Sequence, residues 1–145
     1  MENHFKRVHA PMDLIISGVI LIAGIGLFFV SKGFGIAVGL CGVLTFLFYK
    51  SGWRRIGDDT PLKHRSVQVS RNCKSSISDF LEGKNEDVNL LMGNEGGTLL
   101  LKIWYPADLH KSYVQLFDYI ELQFQPATEI IELNRTTTQK LMSKL

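Results

Sequence analysis

The fold class that this sequence predicts is a helical membrane hairpin (two transmembrane helices) followed by a small cytosolic α+β domain. Three observations predict it. From Leu14 to Tyr49 the chain runs 36 residues with Lys32 as its single Asp, Glu, Lys or Arg. Residues 50–145 instead have the composition of a soluble domain. Within that second part, runs of period two alternate with runs of helical spacing, as strands mixed with helices do.

The apolar block comes first. A bilayer core of about 30 Å takes roughly 20 apolar residues as helix. Thirty-six residues are too many for one span and nearly enough for two. The expected spans are 14–30 and 34–49, with Ser31-Lys32-Gly33 as the reversal between them. Glycine tolerates the positive φ of a tight turn, and a lysine at the tip reaches headgroups, whereas at mid-span it would cost a few kcal/mol. Lys6 and Arg7 precede the first span but no small-residue cleavage site follows it, so the first span is read as retained rather than as a signal peptide.

Lysines and arginines set the expected orientation. Lys6 and Arg7 stand before the hairpin, Lys50, Arg54 and Arg55 after it, and Lys32 alone at its tip. Both termini are therefore expected in the cytoplasm. Trp53 beside Arg54 and Arg55 fits an interfacial belt, where indole sits at headgroup depth and guanidinium meets phosphate. The expected membrane-interface residues are Lys6, Arg7, Lys32, Trp53, Arg54 and Arg55. Gly35, Gly39 and Gly42 fall on one helical face and are the expected helix-packing residues. They pack either the two spans of one hairpin or separate copies of the chain, and the general abundance of glycine in membrane helices favours the first.

The expected organisation is a cytosolic N-terminal segment 1–12, a hairpin 13–50, a basic interfacial linker 51–61 and an α+β domain 62–145. Residues 50–74 carry seven Lys/Arg against Asp58 and Asp59, net +5, while residues 75–145 are net −4. The positive part adjoins the membrane, where anionic lipid attracts it. Nucleic acid is not an expected partner, because basic and aromatic residues do not interleave and no nucleic-acid module is recognisable.

In the domain, Val67 and Val69 mark a strand over 65–71. Ser76 opens a helix with Ile77, Phe80 and Leu81 on one face, closed by Gly83. Residues 88–92 and 98–105 read as strands joined by a hairpin loop at 93–97. Leu109, Tyr113, Leu116, Phe117 and Ile120 recur at helical spacing, which predicts a helix over 108–120. Residues 121–133 read as strand broken near Pro126, and 134–145 as a short helix. The order suggests a ferredoxin-like βαββαβ arrangement with an extra C-terminal helix. Two spans followed by a small cytosolic domain also resemble bacterial membrane proteins that carry a pleckstrin-homology-like domain. The resemblance is one of layout; no motif carries it, and no family is assigned.

Catalytic chemistry finds no foothold. Gly93–Gly97 lacks the lysine and hydroxyl of a phosphate loop. His4, His9, His64 and His110 show no metal-ligand spacing. Cys41 and Cys73 make no disulfide framework, and Cys73 lacks a histidine partner. Neither span holds an acid, a base or an amide beyond the edge residue Asp13, which argues against a proton or ion path. The expectation is a non-enzymatic chain with no cofactor or metal. Its hairpin tethers an interaction or regulatory domain to the membrane, in a bacterial inner (plasma) membrane. Its expected partners are the lipid bilayer and either another protein or further copies of itself. The alternative is a homo-oligomeric, pore-forming assembly packed through the glycine faces.

Overall fold

A computed structural model describes residues 4–90 and 99–145, and it has an α+β architecture. The chain divides into two compact units, Met1–Pro61 and Leu62–Leu145.

The first unit is built on a helical hairpin. Helix α1 spans Pro11–Val30 and helix α2 spans Lys32–Phe48. By length and composition α1 is long and apolar enough to cross a membrane, and α2 is a shorter apolar helix of 17 residues. The reversal uses a single residue. Ser31 is extended (φ −149°, ψ 114°); its N–H donates to the Leu27 carbonyl at 2.7 Å and its carbonyl accepts from Gly35 at 2.9 Å. The glycines here are not needed for a left-handed turn, since only Gly57 and Gly83 have positive φ among the described glycines. Lys32 begins α2 rather than occupying a loop.

Two short strands flank the hairpin. Strand β1, Phe5–Val8, pairs antiparallel with strand β2, Gly52–Arg55, with Phe5 opposite Arg55 and Val8 opposite Gly52. Neither strand was expected, because four residues in a basic setting carry too short a pattern to show period two.

The second unit is an antiparallel meander with helices on one face. Its strands are β3 (Pro61–Val69), β4 (Leu99–Tyr105), β5 (Lys111–Ile120), β6 (Gln123–Pro126) and β7 (Ile131–Asn134). Strand β4 pairs with β3 and β5, and β5 pairs with β6 along its second half and β7 along its first. A 3-10 turn, Arg71–Cys73, leads into helix α3, Lys74–Leu81; helix α4, Arg135–Lys144, closes the chain. The core is one cluster. Ile77, Phe80 and Leu81 of α3 and Leu141 of α4 meet Val69, Leu99, Leu101, Ile103, Val114, Leu116 and Leu133 of the sheet. Gly83 sits at φ +74° just past α3, the left-handed stop that glycine makes cheap. Asn134 caps α4 by accepting from the Thr137 N–H at 2.9 Å.

One expected element is different in kind. Residues 111–120 are strand β5, not a helix, so the second crossover helix of a ferredoxin-like order is missing and that fold is not confirmed. The reason is burial on both faces. Val114 and Leu116 point into the core, while Tyr113, on the opposite face, is only 1% exposed. A strand covered on both sides loses its alternation, and its apolar residues here happen to fall at helical spacing. Residues 88–90 are irregular rather than strand, and the expected loop at 93–97 lies outside the described residues.

Candidate functional site

The hairpin surface is the most distinctive feature of the chain. Its outward side chains are large and apolar, with Val19, Ile22, Ile25, Phe29, Phe34, Leu40, Leu47 and Phe48 all exposed. Its buried positions are small or polar: Asp13, Ser17 and Gly24 on α1, Gly35 and Gly42 on α2.

The glycines set how closely the helices approach. A Cβ on Gly35 would overlap the Phe28 backbone, one on Gly24 would lie 2.6 Å from the Gly39 nitrogen, and one on Gly42 would lie 2.9 Å from Leu21 Cγ. Gly35 and Gly42 therefore meet α1 within the same hairpin. The Gly39 backbone also meets α1, at Gly24, but a Cβ on Gly39 itself would meet nothing within 4 Å. It opens onto a shallow groove of about 360 Å³ lined by Leu21, Ile25, Phe28, Ile36, Leu40 and Val43, among others, with no polar lining.

A buried carboxylate clasps the open end of the hairpin. Asp13 Oδ2 accepts from the Ala10 N–H at 2.9 Å and the Ser51 N–H at 2.8 Å, and Oδ1 accepts from the Ser51 hydroxyl at 2.6 Å. Ser17 adds a bond from its hydroxyl to the Asp13 carbonyl at 2.7 Å. The carboxylate thus ties the start of α1 to the residues just after α2, 38 positions away. The sequence marked Asp13 only as an edge residue; Ser51 gave no signal.

The strand pair gathers most of the expected interface residues. Lys6 stands directly opposite Arg54, and Arg7 opposite Trp53. The Arg7 guanidinium lies 5.1 Å from the Trp53 ring centroid, a cation–π distance. Arg54 also pairs with Asp59 at 3.1 Å. Lys32 stands at the opposite end of α2 from this ribbon. Like charges across an antiparallel pair repel, and Asp59 supplies the anion that offsets Arg54 opposite Lys6.

In the second unit the main electrostatic cluster is Asp118, Lys74 and Arg71. Lys74 Nζ donates to Asp118 Oδ2 at 2.9 Å and Arg71 lies at 3.6 Å. The Lys74 hydrogen bond, aided by the charges of Lys74 and Arg71, holds the Asp118 carboxyl below the usual carboxylate range. The side chain of Asp118 is buried while both cations reach solvent, so this reads as an ion pair sealing the edge of the core. His110 pairs with Asp108 at 2.7 Å on the surface, where the histidine bond lowers the Asp108 pKa. Asp58 accepts from the Thr60 N–H and hydroxyl at 2.9 and 2.7 Å, a local turn. Cys73 is a buried free thiol and Cys41 an exposed one. Among the described residues no group of His, Cys, Asp and Glu could hold a metal ion.

Comparison with known proteins finds no matching family model, no matching characterised protein and no matching solved structure.

Proposed function

We propose that the first unit is a two-span membrane anchor with both termini cytoplasmic, and that it tethers the second unit to the membrane as a non-catalytic interaction or regulatory domain. The observation that carries this reading is the sorting of side chains in the hairpin, with large apolar residues outside and glycine, serine and aspartate inside. That sorting suits a lipid solvent, in which close packing of small residues joins helices. In water it would leave a large apolar surface exposed.

Length fits as well. Helix α1 is about 30 Å long and α2 about 26 Å at 1.5 Å per residue, against a core of about 30 Å. The charge pattern supplies the orientation. Lys6, Arg7, Lys50, Arg54 and Arg55 stand at the end with the termini and Lys32 at the reversal. The ribbon of β1 and β2 then lies where anionic headgroups attract its basic side chains, Lys6 among them, by about 1 kcal/mol per cation. A bacterial inner membrane is the setting we favour, with lipid and a protein partner as the contacts.

The homo-oligomeric, pore-forming reading rests on a single observation, the apolar groove at Gly39. Gly35 and Gly42 do not support it, because their close approaches are already made inside one hairpin.

Cysteine labelling tests the topology. In a Cys41→Ala background, Lys32→Cys should react with an impermeant maleimide from outside intact cells, and Ser75→Cys, on the exposed side of α3, should not. The reverse pattern would overturn the orientation. Native Cys73 is a poor reporter, since burial alone keeps it unreactive. Mild-detergent purification with mass spectrometry then separates the functions. A stoichiometric foreign protein supports the tether, and a homogeneous homo-oligomer with nothing else bound supports the assembly.

A further inference from the structure

The basic residues at the open end of the hairpin are not equivalent. Arg54 is engaged by Asp59 at 3.1 Å. Arg7 is exposed, and among the described residues no ion pair engages it. Its guanidinium is nevertheless held in place. Arg7 stands opposite Trp53, so the two side chains share one face of the ribbon, and the guanidinium lies over the indole at 5.1 Å. A guanidinium so placed still carries five N–H donors, in a fork that matches two oxygens of a phosphate.

The backbone under this pair is fixed at both ends. At one end the Ile56 N–H donates to the His4 carbonyl at 2.9 Å, which extends the ladder beyond Phe5 and Arg55. At the other end the Asp13 carboxylate ties Ala10 to Ser51. The depth of the ribbon is set as well. His9 stacks on Phe46, with ring centroids 5.3 Å and planes 9° apart, and Phe46 belongs to the last turn of α2. Arg7 is only two residues from His9, at most about 7 Å of chain. Charge favours an anion here. Lys6, Arg7, Lys50, Arg54 and Arg55 stand against Asp13, Asp58 and Asp59.

We propose that Arg7, held over Trp53, is a discrete binding site for the phosphate of a membrane phospholipid. The proposal rests on the reading of the first unit as a membrane anchor, and it narrows that reading to one phosphate at one guanidinium. Charge-assisted, two-pronged hydrogen bonding is what Arg offers a phosphate and Lys does not. Lys6 points to the other face of the ribbon and contributes only diffuse attraction. A headgroup bound at Arg7 engages the strand before α1 and, through Trp53, the strand after α2, so it fixes both open ends of the hairpin at one depth.

The test uses the full chain in a neutral detergent, with native mass spectrometry as the readout and phosphatidylglycerol as the probe. The expected result is one retained lipid. Arg7→Lys, which keeps the charge and loses the fork, should weaken retention about tenfold, and Trp53→Leu should weaken it in the same direction. Lys6→Gln, which removes a charge from the other face, should change it little. Arg7→Lys retaining lipid like the parent, or losing no more than Lys6→Gln, overturns the proposal and leaves diffuse attraction alone. Inorganic phosphate retained by the parent but not by Arg7→Lys, with no phosphatidylglycerol bound, also overturns it and assigns Arg7 to a soluble phosphate. The anchor is read separately, from a fluorophore at Ile25→Cys in vesicles, in the Cys41→Ala background. A label quenched by lipid-borne nitroxide keeps the anchor whatever Arg7 does. A label outside lipid removes the anchor and the proposal with it.

Discussion

The two units sort the same residue types by opposite rules. In the hairpin, isoleucine, leucine and phenylalanine face outward and the buried sites belong to Asp13, Ser17, Gly24, Gly35 and Gly42. In the second unit, Ile77, Leu99, Leu101, Ile103 and Leu116 are fully buried, and the charges face outward except for the ion-paired Asp118. Hydrophobic burial can drive the second unit together, but it cannot join two helices whose apolar faces point away from each other. The hairpin must instead be held by close backbone approach and by the Asp13–Ser51 clasp. On our reading, the difference records two solvents acting on one chain, lipid on the first unit and water on the second.

The largest expected effect breaks the hairpin alone. Gly35→Leu forces a side chain into the Phe28 backbone, and backbone has less freedom to yield than a flexible side chain. Overpacking of this kind costs on the order of 3 kcal/mol or more. Protease resistance of the hairpin in detergent should fall while the second unit keeps its melting temperature. The converse is Leu101→Ala, which empties a fully buried site in the other core. Removing a buried leucine costs about 2–5 kcal/mol, so the second unit should melt earlier with the hairpin unaffected. If either variant disturbs both units equally, the two do not fold by separate rules.

A pH experiment sharpens the comparison within the second unit. The Asp118 pKa is lowered, chiefly by the Lys74 hydrogen bond. A lowered folded pKa means that the carboxylate's contribution is present above its unfolded value, about 3.9. It is lost as pH falls through the folded value. Lys74→Met removes the main cause. The variant should be less stable at neutral pH, and its near-ultraviolet circular dichroism should begin to fall at higher pH than in the parent during acid titration. Identical acid titrations would show that Lys74 is too well solvated to matter, as many half-exposed pairs are.

What the sequence made legible follows from how local each signal is. The apolar block, the α3 face of Ile77, Phe80 and Leu81, the stop at Gly83 and the short helix from residue 134 are all written within a few residues of each other. Strand β5 was misread because Tyr113 and Val114 are buried on opposite faces, and two-sided burial erases the period of two. The β5–β6 turn was invisible because Glu121-Leu122 is not a turn pair. The Asp13–Ser51 clasp joins residues 38 apart, and no local pattern announces such a contact. The β1–β2 ribbon is equally non-local: Lys6 meets Arg54 only because the hairpin folds back.

The smallest expected effect bears on what the hairpin touches. Gly39 sits on the same helical face as Gly35 and Gly42, yet a Cβ there points into open space beside the apolar groove. If lipid fills the groove, Gly39→Ala adds one methyl group to a lipid-facing surface and removes a helix-weakening glycine, a gain of up to about 1 kcal/mol. If a second copy fills the groove, the same methyl group intrudes on a packed interface, and a loss of roughly 1–3 kcal/mol should dissociate it. The two outcomes differ in sign. Thermal stability and complex mass, measured together on Gly39→Ala in detergent, therefore read the neighbour of α2 directly. A more stable chain of unchanged mass keeps the glycines inside one hairpin. A smaller complex would mean that the open side of Gly39 belongs to an assembly, while Gly35, Gly42 and the approach of Gly24 to the Gly39 backbone serve the hairpin.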